Sequence, residues 1–338
     1  MPASPPAGAP PMGLTPLRFG RPRFIGVVDA NVLLCSIDND CRNGWRSRFL
    51  RMTDDDLAVL YAADHVYAEV YEKLHKFASR RGAPSVEELR RQYEDEYLPI
   101  LRFVTVTPDD GQAEALGVTD PDDVPTAQLA ELLGLSVVFS DDTDLRDPGI
   151  APGDWRAAAR GAVGLIDCER EMLTLGSAVF LPVRAVFWAV GASARRLGTA
   201  PWIPALVLMA AAGLVMRPPS RRRTVVEGLG VIGRALAEQL ARIEADEARA
   251  MAVLQEAMFA AAPRDGLQRQ LAAVLAVQLE PVTEDELAGL IMAAFPSDEV
   301  RSTEDLRASL VDGTEFVEVE PSVWQLGRVV EPWPGRLK

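Results

Sequence analysis

Four acidic positions in the first half of the chain stand where the ends of strands or helices could gather them. Asp29 follows the apolar run Phe24–Val28 and opens Asp29-Ala30-Asn31-Val32-Leu33-Leu34. Glu69 lies among apolar neighbours in Val66-Tyr67-Ala68-Glu69-Val70-Tyr71. Asp123 closes Asp120-Pro121-Asp122-Asp123, just ahead of the helical stretch Val124–Leu133. Asp142 lies in Ser140-Asp141-Asp142-Thr143-Asp144-Leu145. Clustered carboxylates repel one another and resist ionisation, and a cation is the natural remedy. All-oxygen donor sets suit Mg²⁺ and Mn²⁺. Two such ions about 3.5–4 Å apart can activate water, clamp a phosphate and stabilise a leaving oxygen. The chemistry that needs this set is two-metal phosphodiester hydrolysis. It requires no His or Cys, and the chain has only His65, His75, Cys35, Cys41 and Cys168. With no CxxC pair, a His/Cys zinc site, a Ser-His-Asp triad and a disulfide framework are not expected, and the compartment reads as reducing.

Each residue also has a plainer reading. An acid at a helix start is often only an N-cap, and Asp123 is open to that account. Glu69 has Glu72 one helical turn away. Asp141 and Asp142 compete for one role. His65 and His75 read as packing or surface residues.

The elements around these acids alternate. Phe24–Val28 (FIGVV), Phe103–Val106 (FVTV) and Leu135–Phe139 (LSVVF) are short apolar runs of the kind that form buried parallel strands. Helices are expected around Asp54–Arg81, Ser85–Tyr97 and Pro125–Gly134. Alternation of strand and helix predicts an α/β fold with a mostly parallel sheet sandwiched by helices. In such sheets the site lies outside the carboxyl ends of the strands, where Asp29 and Asp141–Asp144 fall.

Charge divides the chain further. The total of 35 basic and 49 acidic residues, a net of −14, argues against polyanionic partners only if evenly spread. It is not. Residues 1–28 hold no acid, and 29–171 hold 29 acids against 15 bases. Residues 172–226 hold seven arginines and no Asp, Glu or Lys. Residues 1–22, rich in Pro and small side chains without an apolar core, read as a disordered lead-in rather than a signal peptide. Residues 23–171 are expected to form the α/β domain, and 172–224 an apolar helical hairpin. Within the hairpin, 198–216 is an uncharged run followed at once by Arg217–Arg223. A bilayer needs roughly 20 apolar residues in a helix, so membrane contact through 173–216 is expected, with a buried hairpin as the alternative. The localisation read from this is cytoplasmic, attached to the inner membrane if the hairpin inserts. A long amphipathic helix should cover 225–262. Residues 263–330 read as three helices and a β-hairpin, the order of a winged helix, with 331–338 as a tail. Residues 263–338 together carry net charge −7, which favours a protein partner over DNA.

Residues 23–171 resemble a PIN domain, the nuclease fold of VapC-type toxins and RNA-processing enzymes. The resemblance rests on VVDANVLL, on Glu69 further along the chain, on DPDDVPTAQLAELLG and on VVFSDDTDL. It covers under half the chain. It implies a Mg²⁺- or Mn²⁺-dependent endoribonuclease in which Asp29, Glu69, Asp123 and Asp142 hold the metal, with Asp144 as a fifth participant. Asn31 and Ser140 resemble positions that hydrogen-bond the acids or the metal waters. RNA is the implied substrate, with an antitoxin or other protein partner and a homodimer as companions. Arg42, Arg46 and Arg48 are candidates for contact with the phosphate backbone. Two other readings stay open: a catalytically silent PIN-like scaffold, and a membrane-tethered regulator acting through the C-terminal block.

Overall fold

A computed structural model describes residues 24–44, 46–54, 58–107, 110–197, 219–261, 266–295 and 302–332. The chain divides into two compact units. One joins the residues up to Val163 with those from Ala252 onward, and the other is Gly164–Met251. The boundary expected at 171/172 therefore lies inside a helix, and 263–330 share a unit with the α/β sheet.

The first unit is built on four parallel strands, β1 (Phe24–Val28), β2 (Ala58–Ala63), β3 (Leu101–Val104) and β4 (Leu135–Phe139). Their order in the sheet is β3-β2-β1-β4, closed by a short antiparallel strand β5 (Phe259–Ala260) on β4. Strands β1 and β4 have the predicted bounds, and β3 begins two residues earlier than expected. Strand β2 corrects the reading of 54–81 as one helix. Its sequence Ala-Val-Leu-Tyr-Ala-Ala is rich in helix formers, yet all six residues are buried. Burial on both sheet faces overrides a local propensity worth only tenths of a kcal/mol per residue.

The connections are helical: α1 (Ala30–Asn43), α2 (Arg48–Thr53), α3 (Asp64–Ala78), α4 (Val86–Gln92), α5 (Asp110–Leu116), α6 (Val124–Leu133) and α7 (Thr143–Arg146). A capping box at Ser85 starts α4, and a π-helical turn at Tyr93–Tyr97 follows it. Because β1 leads to β2 on one side while β4 lies on the other, the strand order reverses between β1 and β4. Crevices at such switch points are where open α/β sheets bind ligands. Gly26 sits at the centre of β1, and a Cβ there would lie 2.7 Å from Leu60 Cδ2 and 2.8 Å from Phe139 Cε2. Gly26→Ala is therefore expected to cost about 1–3 kcal/mol by overpacking. A denaturant midpoint equal to wild type would contradict it.

Helix α8 (Trp155–Leu197) leaves this unit, and α9 (Pro219–Ala257) returns to it. In the second unit the two run antiparallel. A Cβ on Gly164 would be 3.5 Å from Ala250 Cβ, and Gln239 lies 3.5 Å from Glu171. Among the described residues no helix is long and apolar enough to cross a membrane. Residues 198–216, the longer of the two apolar runs, lie outside the described residues.

The C-terminal part is α10 (Leu267–Ala276), β6 (Val282–Thr283), α11 (Glu284–Ala294), α12 (Thr303–Asp312), β7 (Phe316–Glu320) and β8 (Val323–Leu326). Its three strands pair antiparallel in the order β6-β8-β7. The three expected helices and the hairpin are present, and β6 is an addition. This part shares one core with the sheet, in which Ile25, Val27, Tyr61, Leu271, Leu275, Trp324 and Leu326 are all buried. The Tyr61 hydroxyl donates to Ala276 O at 3.1 Å, and Arg102 donates to Gln278 O at 2.8 Å and to Leu279 O. The chain from β5 onward covers both edges of the parallel sheet. Strand β5 pairs with β4, and Arg328 exchanges two 2.8 Å backbone hydrogen bonds with Phe103 on β3. Edges left open would be templates for aggregation.

Candidate metal centre

The acids converge at the reversal point. Asp29 directly follows β1 and is 4% exposed, and its backbone N–H donates to Phe139 O at 3.1 Å. Ser140, fully buried at the end of β4, donates to Asp29 Oδ2 at 2.9 Å and accepts from the Asp142 N–H at 3.0 Å. One hydroxyl thus ties the two strand ends together. Asp142 then caps α7 by accepting from the Asp144 N–H at 2.9 Å. Asp141 turns outward and forms a two-pronged ion pair with Arg156 at 3.1 and 2.9 Å. The structure thus separates the two neighbouring acids, with Asp142 on the inner side.

Asp123 stands at the start of α6, but its side chain makes no capping hydrogen bond. The N-cap account therefore does not apply to it. Its Oδ2 is buried without a partner. The Asp120 side chain accepts from the Asp122 N–H at 3.0 Å, and the Asp123 N–H donates to Asp120 O at 3.1 Å, so a tight turn swings Asp120 back beside Asp123. One carboxylate oxygen from each of Asp120, Asp123 and Asp144 lies within 4.8 Å of the other two. Thr119 holds Asp144 through a 3.1 Å hydrogen bond.

Helix α3 supplies the remaining wall. His65, Glu69 and Lys73 share one face at four-residue intervals. Glu69 accepts an ion pair from Lys73, and its other oxygen is 4.0 Å from His65 Nε2. Burial lowers the His65 pKa, against the pull of Glu69, Asp122 and Asp64.

The electrostatics reflect the crowding. Burial pushes the Asp29 carboxyl up to about 6; the Ser140 hydrogen bond opposes this, and the charge of Glu69 adds to it. Asp123 is pushed up to about 7, first by burial and then by Asp142, Asp29, Asp120 and Asp144. The charged groups that act on it most are all carboxylates. A carboxyl with such a pKa is short of positive charge, and a divalent cation would supply it.

Of the predicted residues, the structure brings Asp29, Glu69, Asp123, Asp142, Asp144 and Ser140 to this point. Asn31, half-buried in the first turn of α1, makes no hydrogen bond to the acids among the described residues. The three candidate arginines lie elsewhere. Arg42 is in the last turn of α1, about 20 Å along the helix from Asp29. It pairs with Asp38 at 2.8 Å. Arg46 and Arg48 precede β2, at the amino edge of the sheet, and Arg46 pairs with Asp54 and Glu96. Two of the three are neutralised, and all three lie at the opposite end from the acids. Sequence reasoning passed over Asp120 and Lys73. The i,i+4 spacing to Glu69 was a usable signal for Lys73, and the Asp-Pro turn for Asp120. No family model, no curated protein and no solved structure matches the chain.

Proposed function

We propose that this protein is a PIN-like, divalent-cation-dependent endoribonuclease. The observation that carries the reading is the Asp123 carboxylate. It is held up at about 7 by burial and four other carboxylates, and it has a buried oxygen without a partner. The donor set is all oxygen, which suits Mg²⁺ or Mn²⁺. Asp120, Asp123 and Asp144 would hold the ion, with Asp29 and Asp142 beside it. When bound, such an ion lowers the pKa of water and offsets phosphate charge. The rest of the work falls to the chain. Ser140 holds Asp29 in one orientation, and Asp29, ionised above about pH 6, can take a proton from an attacking water. Asp142 is fixed beside the same crevice by the Ser140 hydroxyl and its own cap.

RNA as substrate and a protein partner for the acidic C-terminal part belong to the same proposal. So does membrane contact through 173–216, which carbonate extraction of membranes from expressing cells would test. The central test is RNA cleavage by the full chain with Mn²⁺. The expected result is chelator-sensitive cleavage that Asp29→Asn loses. Equal activity in the two proteins would sink the reading.

A further inference from the structure

The acids of the crevice are not equally short of positive charge. On one side stand Asp120, Asp123 and Asp144, whose oxygens lie within 4.8 Å of one another. On the other stand Asp29 and Glu69, and here the chain brings its own cation. Lys73 is one turn beyond Glu69 on α3 and forms an ion pair with its Oε1. Its ammonium is also within electrostatic reach of Asp29 and of Asp122. Lys73 is about one-third exposed and Glu69 one-quarter, so solvent still reaches the pair.

Two cations crowded against one another need enough negative charge to separate them. An ammonium already seated on Glu69 and near Asp29 would repel a divalent ion placed there. No such cation stands among the groups that act most strongly on Asp123. We infer that the centre takes one divalent cation, at Asp120, Asp123 and Asp144, and that the Lys73 ammonium stands where a second ion would sit, against Asp29 and Glu69. This rests on the reading of the crevice as a metal centre and departs from the two-ion expectation. Lys73 is here a positioning residue. It keeps Glu69 in place and gives Asp29 a neighbouring positive charge without binding metal. His65 completes the α3 face, 4.0 Å from the other oxygen of Glu69.

Counting bound Mn²⁺ on the full chain at pH 8 tests this, by calorimetry and by the electron paramagnetic resonance of free Mn²⁺. The expected result is one Mn²⁺ per wild-type chain. Lys73→Met should bind two, because Asp29 and Glu69 lose their counter-charge and become a second site. Lys73→Arg should still bind one, and Asp123→Asn none. Two ions on the wild-type chain would overturn the inference while leaving a metal-dependent nuclease intact. One ion on both wild type and Lys73→Met would also overturn it, since Lys73 would then hold no place. No Mn²⁺ on the wild type would instead defeat the metal-centre reading itself. If Lys73→Met fails to fold, Lys73→Gln takes its place, with two Mn²⁺ expected and one overturning the inference.

Discussion

Asp123→Asn is expected to have two large effects of opposite sign. The first is loss of Mn²⁺ binding and of chelator-sensitive RNA cleavage. An ion that contributes several kcal/mol of charge stabilisation at the transition state corresponds to about 10²–10³-fold in rate. The second is a gain in stability of the metal-free protein at pH 8. The Asp123 carboxyl titrates near 7 in the fold, against an ordinary 3.8. The folded state therefore binds the proton more tightly than the unfolded state does. The stability this group contributes is complete below about pH 4, falls as pH rises toward 7, and is gone above it. Asparagine removes the penalty. With Asp123 only half-buried and partly screened, the gain at pH 8 is about 1–2 kcal/mol. Denaturant melts of both proteins at pH 5 and pH 8 check it. A variant gaining nothing at pH 8 over pH 5 would mean that Asp123 is not under charge strain. Saturating Mn²⁺ should stabilise only the wild type.

Arg102→Met should lower the stability of the first unit by about 2–4 kcal/mol, since hydrogen bonds to charged groups contribute about 1.5–3 kcal/mol each. Arg102 on β3 reaches Gln278 O at 2.8 Å, Leu279 O, and the Tyr61 hydroxyl at 3.4 Å. These carbonyls lie just past the end of α10, where helix carbonyls lack partners and a cation is favourable. Methionine keeps most of the apolar stem but leaves the acceptors unsatisfied. For a unit of this size the change corresponds to a drop of roughly 5–15 °C in melting temperature. A shift under about 1 °C would show that the C-terminal part is held by its shared apolar core alone. Gly327 offers a second handle on the same joint. It has φ +68°, and a Cβ there would lie 2.8 Å from Phe103 O, so any side chain would push the arm off β3.

The acids of the crevice could be read from the sequence because each follows an element that local pattern makes plain. FIGVV and LSVVF are β-branched apolar runs, and Asp29 and Asp142 come soon after them. The helices of the C-terminal part carry caps at Ser302 and Thr283 that mark their starts. Strand β2 was not legible, because Ala-Val-Leu-Tyr-Ala-Ala has helical propensity and only burial between β1 and β3 makes it a strand. Arg42, Arg46 and Arg48 are near Asp29 in sequence, but the rise of α1 carries Arg42 to the far end of the helix.

By itself, the sequence determined which residues carry charge and where strands deliver it. It placed Asp29, Glu69, Asp123 and Asp142 in an α/β frame and set apart the acid-free block 172–226. The tertiary structure decided three further things. It turned Asp141 out to Arg156 and Asp142 in, because the Ser140 hydroxyl holds the Asp142 backbone. It drew Asp120 and Lys73 to the crevice through a turn and a helical repeat. It also joined the C-terminal part to the sheet, since the apolar faces of α6 and α10 and both edges of the parallel sheet are covered only when the two pack together.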